Sequence, residues 1–130
     1  MTWSPLAFGA LTGKYSAGTP EGSRMENPVF KEFTPDFAQR VEKADKLGPV
    51  ADKLGVSMAE LALAWCVSNE NVSTVMIGAK TLAQLEQNLK AMEAVDKITT
   101  EVKAEIDVLI PFVPELSKPG GTAALRSQHL

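Results

Sequence analysis

Val72-Ser-Thr-Val-Met-Ile-Gly-Ala-Lys-Thr-Leu-Ala-Gln-Leu-Glu-Gln-Asn88 reads as a strand that feeds directly into a helix. Val72 to Ile77 is short, apolar and β-branched, the pattern of a buried strand. Gly78 ends it, and Thr81 with Gln84 three residues on has the spacing of a helix N-terminal capping box. Leu82, Leu85, Leu89 and Met92 follow at helical spacing. Such a junction gathers free backbone N–H groups, the positive end of a helix dipole and the Lys80 ammonium, which together suit an anion. An ordinary βα turn with Lys80 in solvent fits the same pattern.

Toward the C-terminus, Thr99 or Thr100 is expected to cap a final helix with Val102, Ile106, Leu109 and Ile110 on one stripe, stopped by Pro111. From Ser117 onward the composition predicts a loose tail, so residues 116–130 are set apart from a domain spanning 1–115. Toward the N-terminus, Ser57 and Glu60 form a second capping box, opening a helix from Met58 to about Val67. That helix is apolar on most sides and is expected to be buried, with Trp65 and Cys66 in the core. Before it, Thr34-Pro35-Asp36 predicts a helix start with Thr34 as N-cap, and Phe37, Val41, Ala44 and Leu47 mark one face. Gly48-Pro49 should end or kink that helix, with Val50 and Leu54 continuing the apolar face to Gly55.

Gly9 to Phe33 is rich in glycine and proline and lacks periodicity, so it reads as a loop of about 25 residues, long enough to be functional or disordered. It carries Lys14 and Arg24, either able to cover an anionic ligand. Thr2 to Ala7 reads as a short strand, with Pro5 limiting its ladder bonds. Two strands alternating with helices predict parallel βα units, yet two parallel strands do not make a sheet buried on both faces.

The bulk properties exclude more than they assign. A net charge of −3 without a Lys/Arg run argues against a nucleic-acid surface. The longest fully apolar run, Leu61 to Val67, is too short to span a bilayer. One cysteine, Cys66, precludes an internal disulfide, and together with a poor signal peptide it predicts a cytoplasmic setting. No metal-ligand spacing is present, and the single histidine, His129, lies in the expected tail.

Several ordered motifs carry a resemblance that spacing alone does not supply. Thr2-Trp-Ser-Pro-Leu-Ala7, Leu11-Thr-Gly-Lys-Tyr15 and Pro20-Glu-Gly-Ser-Arg24 resemble the aldo-keto reductase family, most closely its voltage-gated potassium channel β-subunit branch. The likeness continues through Ala59-Glu-Leu-Ala-Leu-Ala-Trp-Cys66, Asn71-Val-Ser-Thr-Val-Met-Ile-Gly78 and Gln84 to Asn88. It implies an α/β fold, the C-terminal portion (strands 7 and 8 and the following helices) of a (β/α)₈ TIM barrel, with Thr2–Ala7 and Val72–Ile77 as the two strands. In such barrels phosphate sites form from the loops after strands 7 and 8.

The resemblance also implies NADPH/NADP as cofactor, with residues carried over by position. Trp3 would lie beside the nicotinamide, and Ser4, Pro5, Leu6 and Ala7 along the cofactor. Phe8 stands where relatives have smaller or polar residues. Lys14 and Arg24 would cover the pyrophosphate and adenosine end. Gly78, Lys80, Gln84, Gln87 and Asn88 would form the adenine and 2′-phosphate site, with Gln87 where the branch usually has glutamate. The family's catalytic aspartate, tyrosine, lysine and histidine belong to earlier strands, and Tyr15 and Lys14 are not that pair. The implied function is therefore the NADPH-binding part of an enzyme that reduces aldehydes or ketones by hydride transfer, inactive as this chain alone. The alternative is a regulatory channel β-subunit-like protein acting through channel or homo-oligomer contacts.

Overall fold

The structure is a computed structural model that describes residues 1–112. The expected tail, 116–130, lies outside the described residues. Six α-helices are present among them: α1 (Pro28–Phe33), α2 (Phe37–Asp45), α3 (Gly48–Leu54), α4 (Met58–Val67), α5 (Leu82–Lys90) and α6 (Thr100–Leu109). Three 3₁₀ segments, Ala7–Thr12, Arg24–Glu26 and Ala91–Lys97, join them.

α4 is the axle. Ser57 Oγ accepts from the Glu60 amide while the Glu60 carboxylate accepts from the Ser57 amide, the full reciprocal box. Leu61 and Ala64 of α4 pack with Leu47, Val50 and Ala51 from one side and Ala94, Ile98, Val102 and Ile106 from the other. Full burial of a Leu side chain contributes about 1.5–3 kcal/mol. Trp65 corrects the expectation of an all-round buried helix: it is 42% exposed, the one large residue of α4 facing outward. Cys66 is buried as expected, and burial raises its thiol pKa.

Gly48-Pro49 does break the helical run. α2 closes at Lys46, and α3 restarts with proline in its first turn, where no intrahelical amide is needed. Gly55 ends α3 in the left-handed conformation, φ 64°. Thr99 Oγ1 accepts from the Val102 amide to start α6. The Lys103 ammonium donates to the Ser68 carbonyl at the C-terminal end of α4, where the dipole favours a cation.

Three further expectations are corrected. The first concerns the two strands. Thr2 and Val75 form an isolated parallel bridge, with the Thr2 amide donating to Thr74 O at 3.0 Å and the Met76 amide to Thr2 O at 3.4 Å. The pairing partners and their parallel sense match the reading, but among the described residues no strand extends from the bridge. Parallel ladders are stable inside multi-stranded sheets covered on both faces. Here Trp3 and Met76 are 74% and 49% exposed, and Pro5 has no amide to donate.

Second, Gly9–Phe33 is not one irregular loop. Asn27 caps α1 by accepting from the Val29 amide, and Pro28 follows in the first turn. The Asn-Pro pair was the available signal. Third, Thr34 does not cap α2. It closes α1, where its hydroxyl donates to Phe30 O at 2.6 Å, and the backbone enters α2 through Asp36. Thr34 is buried, so its side chain serves the preceding helix instead.

Candidate functional site

The bridge between Thr2 and Val75 sets two connecting segments side by side, the one after Ala7 and the one between Ile77 and α5. A cleft of about 950 Å³ opens between them. Eleven of the twelve residues proposed from sequence line it: Trp3, Ser4, Pro5, Leu6, Lys14, Arg24, Gly78, Lys80, Gln84, Gln87 and Asn88. Ala7 does not line it; it opens the 3₁₀ segment that forms the floor of the turn.

The first wall is conformationally unusual. Ser4, Ala7 and Phe8 all hold positive φ, at 51°, 48° and 59°. Such backbone costs on the order of 1–3 kcal/mol per residue and persists where surrounding contacts determine it. Here the Ala7 amide donates to Ser4 O at 2.8 Å, the Gly9 amide to Leu6 O at 2.8 Å, and the Thr12 hydroxyl to Gly9 O at 2.7 Å. Gly9 itself is required: φ is 99°, and a Cβ would stand 3.1 Å from the Tyr15 ring. Tyr15 is buried and meets Phe37 edge-on with ring centroids 4.9 Å apart. It does not line the cleft.

The second wall is the N-terminus of α5. Thr81 Oγ1 accepts from the Gln84 amide, as the capping-box spacing predicts. The reciprocal arm differs: Gln84 Oε1 accepts from the Lys80 amide at 2.9 Å, one residue before the cap. Gln84 is thereby a cap whose side-chain N–H₂ remains a donor beside the cleft. The amides of Leu82 and Ala83, in the first turn, have no intrahelical acceptor.

Lys80 ties the walls together by donating from Nζ to Gly22 O at 3.3 Å. The Gly22 amide in turn donates to the Glu26 carboxylate at 2.6 Å. Lys14, Arg24 and Lys80 thus face a cleft whose lining has one carboxylate, Glu21. In a chain of net charge −3, this concentrates positive potential at one place.

Two polar groups of the lining have unused hydrogen-bonding capacity. Asn88 is 7% exposed and lines the cleft, with no side-chain hydrogen bond among the described residues, its amide keeping contact with solvent. Ser23 Oγ is buried in the same lining without a partner among the described residues. Buried polar atoms are normally satisfied, so Ser23 Oγ is the unpaired group of the cleft. Sequence reasoning did not single out Ser23, nor Phe30, which packs behind Arg24; a serine in a polar turn and an apolar residue in a short helix give no distinguishing signal.

Among the described residues no group of three or more metal-ligating side chains occurs, and no helix is long and apolar enough to cross a membrane.

The chain is 38% identical over 117 residues to a fission yeast (Schizosaccharomyces pombe) protein named as a voltage-gated potassium channel subunit beta, covering 86% of this chain and 34% of the relative. Proteins of the same name from rice (Oryza sativa subsp. japonica) and Arabidopsis thaliana are each 41% identical, over 117 and 121 residues. Each match covers 88% of this chain and 36% of the relative. The chain therefore spans about a third of the length of the curated relatives it matches. The aldo/keto reductase family profile matches residues 1–111, both walls of the cleft included, and this chain belongs to that family.

Proposed function

We propose that the cleft is the phosphate-bearing end of an NADP(H) site, belonging to a barrel that reduces aldehydes or ketones when complete. One observation carries the reading: Lys14, Arg24 and Lys80 converge on a cleft at the N-terminus of α5, whose lining also holds Asn88 and the buried, unpaired Ser23 Oγ. Lys80 is placed for a 2′-phosphate, where its ammonium would exchange the Gly22 carbonyl for a charged oxygen. The free amides of the first turn of α5 add partial positive charge on the same side. Gln84 and Asn88 offer amide groups to an adenine edge, and Gln87 lines the same wall. On the other wall, Trp3 with Ser4, Pro5 and Leu6 would border the nicotinamide end. Ala7 acts through backbone shape only.

The chemistry a bound NADPH supplies is hydride donation to a carbonyl carbon, which also requires a proton donor at the carbonyl oxygen. Tyr15 does not serve: its ring is buried against Phe37, away from the cleft. This chain is accordingly a binding half whose proton donor comes from elsewhere in the barrel. The parallel bridge of Thr2 with Val75 supports reading their two segments as strands 7 and 8 of that barrel. A cytoplasmic setting, with a nicotinamide cofactor and a carbonyl substrate as partners, follows from the same reading.

Titration calorimetry of the full chain tests this. NADP⁺ should bind at least about tenfold more tightly than NAD⁺, a preference of about 1.4 kcal/mol. Lys80→Ala should erase that preference. Equal affinity for the two cofactors, or a preference untouched by Lys80→Ala, contradicts the reading.

A second reading, regulation through contact with a channel, is favoured by the names of the three relatives. Retention of the chain on an immobilised channel cytoplasmic domain supports it, and absence of retention argues against it.

A further inference from the structure

Arg24 is held in a way the cofactor reading does not require. Its guanidinium carbon lies 5.2 Å from the centroid of Phe30 and 5.8 Å from that of Phe8. The two rings are 6.3 Å apart at 55°. Phe8 is braced from its other side by Trp3, edge-to-face at 5.8 Å, and stands at φ 59°. Among the described residues no carboxylate pairs with Arg24; the nearest in sequence, Glu26, accepts from the Gly22 amide instead.

This difference matters chemically. A salt bridge would fix the guanidinium but neutralise it. Aromatic faces attract a cation through the ring quadrupole and leave its full charge and its N–H donors available to an anion. Asn27 and Pro28 start the short helix α1, on which Phe30 packs against Arg24. Phe30 itself does not line the cleft, whereas Phe8 and Arg24 do.

We propose that Phe8 and Phe30 are positioning residues that clamp the Arg24 guanidinium, un-neutralised, toward the phosphates of the ligand. The inference rests on the reading of the cleft as an NADP(H) site. Phe30 gives the cleaner test because it is behind the cleft.

In titrations of the full chain with NADP⁺, Phe30→Leu, which keeps bulk and loses the π face, should weaken binding about two- to fivefold. Phe30→Tyr, which keeps the face, should bind as the unsubstituted chain does. In an Arg24→Ala background, Phe30→Leu should have no further effect, since the clamp then holds nothing. Far-UV circular dichroism verifies that each variant is folded, and Phe30→Met replaces Phe30→Leu if the latter unfolds. Unchanged affinity in Phe30→Leu overturns the clamp, and so does an equal loss with and without Arg24. If Lys80→Ala weakens NADP⁺ while Arg24→Ala and Phe30→Leu do not, the clamp alone falls. If none of the three has an effect, the cofactor reading falls with it.

Discussion

Asn88 shows how a single residue separates a ligand role from a structural one. Its side chain makes no hydrogen bond among the described residues, so replacing it with an apolar one of similar size removes no contact within the protein. Asn88→Leu should therefore keep or raise the thermal midpoint while weakening NADP⁺ binding at least about fivefold, the equivalent of one lost hydrogen bond of about 1 kcal/mol. Loss of stability together with binding would show a packing role instead. Cys66 behaves oppositely. Burial raises its pKa, so the native thiol should react with a disulfide reagent at pH 8 far more slowly than the same thiol in guanidinium. Equal rates would mean the α4 core is open.

At the acid end, the hydrogen bond from Arg40 lowers the pKa of Asp36, and that from Thr99 lowers the pKa of Glu101. Their stabilisation is present above the ordinary carboxylate range and is lost as pH falls through the lowered values. Asp36→Asn should remove that contribution, lowering the midpoint slightly at neutral pH and leaving it unchanged at acid pH, so that the acid limb of midpoint against pH flattens. At this scale the sequence was legible where chemistry is local. Lys14, Arg24 and Lys80 stood out by charge and motif, but Phe30 and Ser23 are tied to the cleft only through spatial neighbours.

Among the elements, the helices were the most readable because their signals are short-range. The Ser57–Glu60 box and Thr81 and Thr99 caps are four-residue patterns, and the structure contains each one. Ser57→Ala should cost about 1 kcal/mol in denaturant unfolding, the usual worth of an N-cap. Gly9→Ala should cost more, since it combines positive φ with a Cβ 3.1 Å from Tyr15. The extended segments were less readable for a physical reason. Val72–Ile77 has strand composition, but a strand is completed by its neighbours, and only Thr2 pairs with it among the described residues. Thr34 was misread because a threonine before a proline serves equally as the end of one helix or the start of the next.

At the scale of the whole molecule, the stripe that made α5 recognisable is exposed apolar surface. Leu82, Leu89 and Met92 are 71%, 57% and 61% exposed, and Leu85 is partly so. Helical periodicity announces that a face will be covered and says nothing of what covers it. The isolated chain should accordingly bind a hydrophobic dye such as ANS, and Leu82→Lys with Leu89→Lys should reduce that signal more than any pair on α2. The chain belongs to the aldo/keto reductase family and spans about a third of the length of the curated relatives it matches.

The central claim is that the Lys14–Arg24–Lys80 cleft receives the 2′-phosphoadenosine end of NADP(H). Amide resonances of the full chain during titration with 2′,5′-ADP test it most directly. The account predicts saturable shifts at Gly22, Gly78, Lys80 and Leu82, with 5′-AMP far weaker at the same positions. Shifts of equal size from both nucleotides, or shifts confined to residues outside the two walls of the cleft, would contradict it.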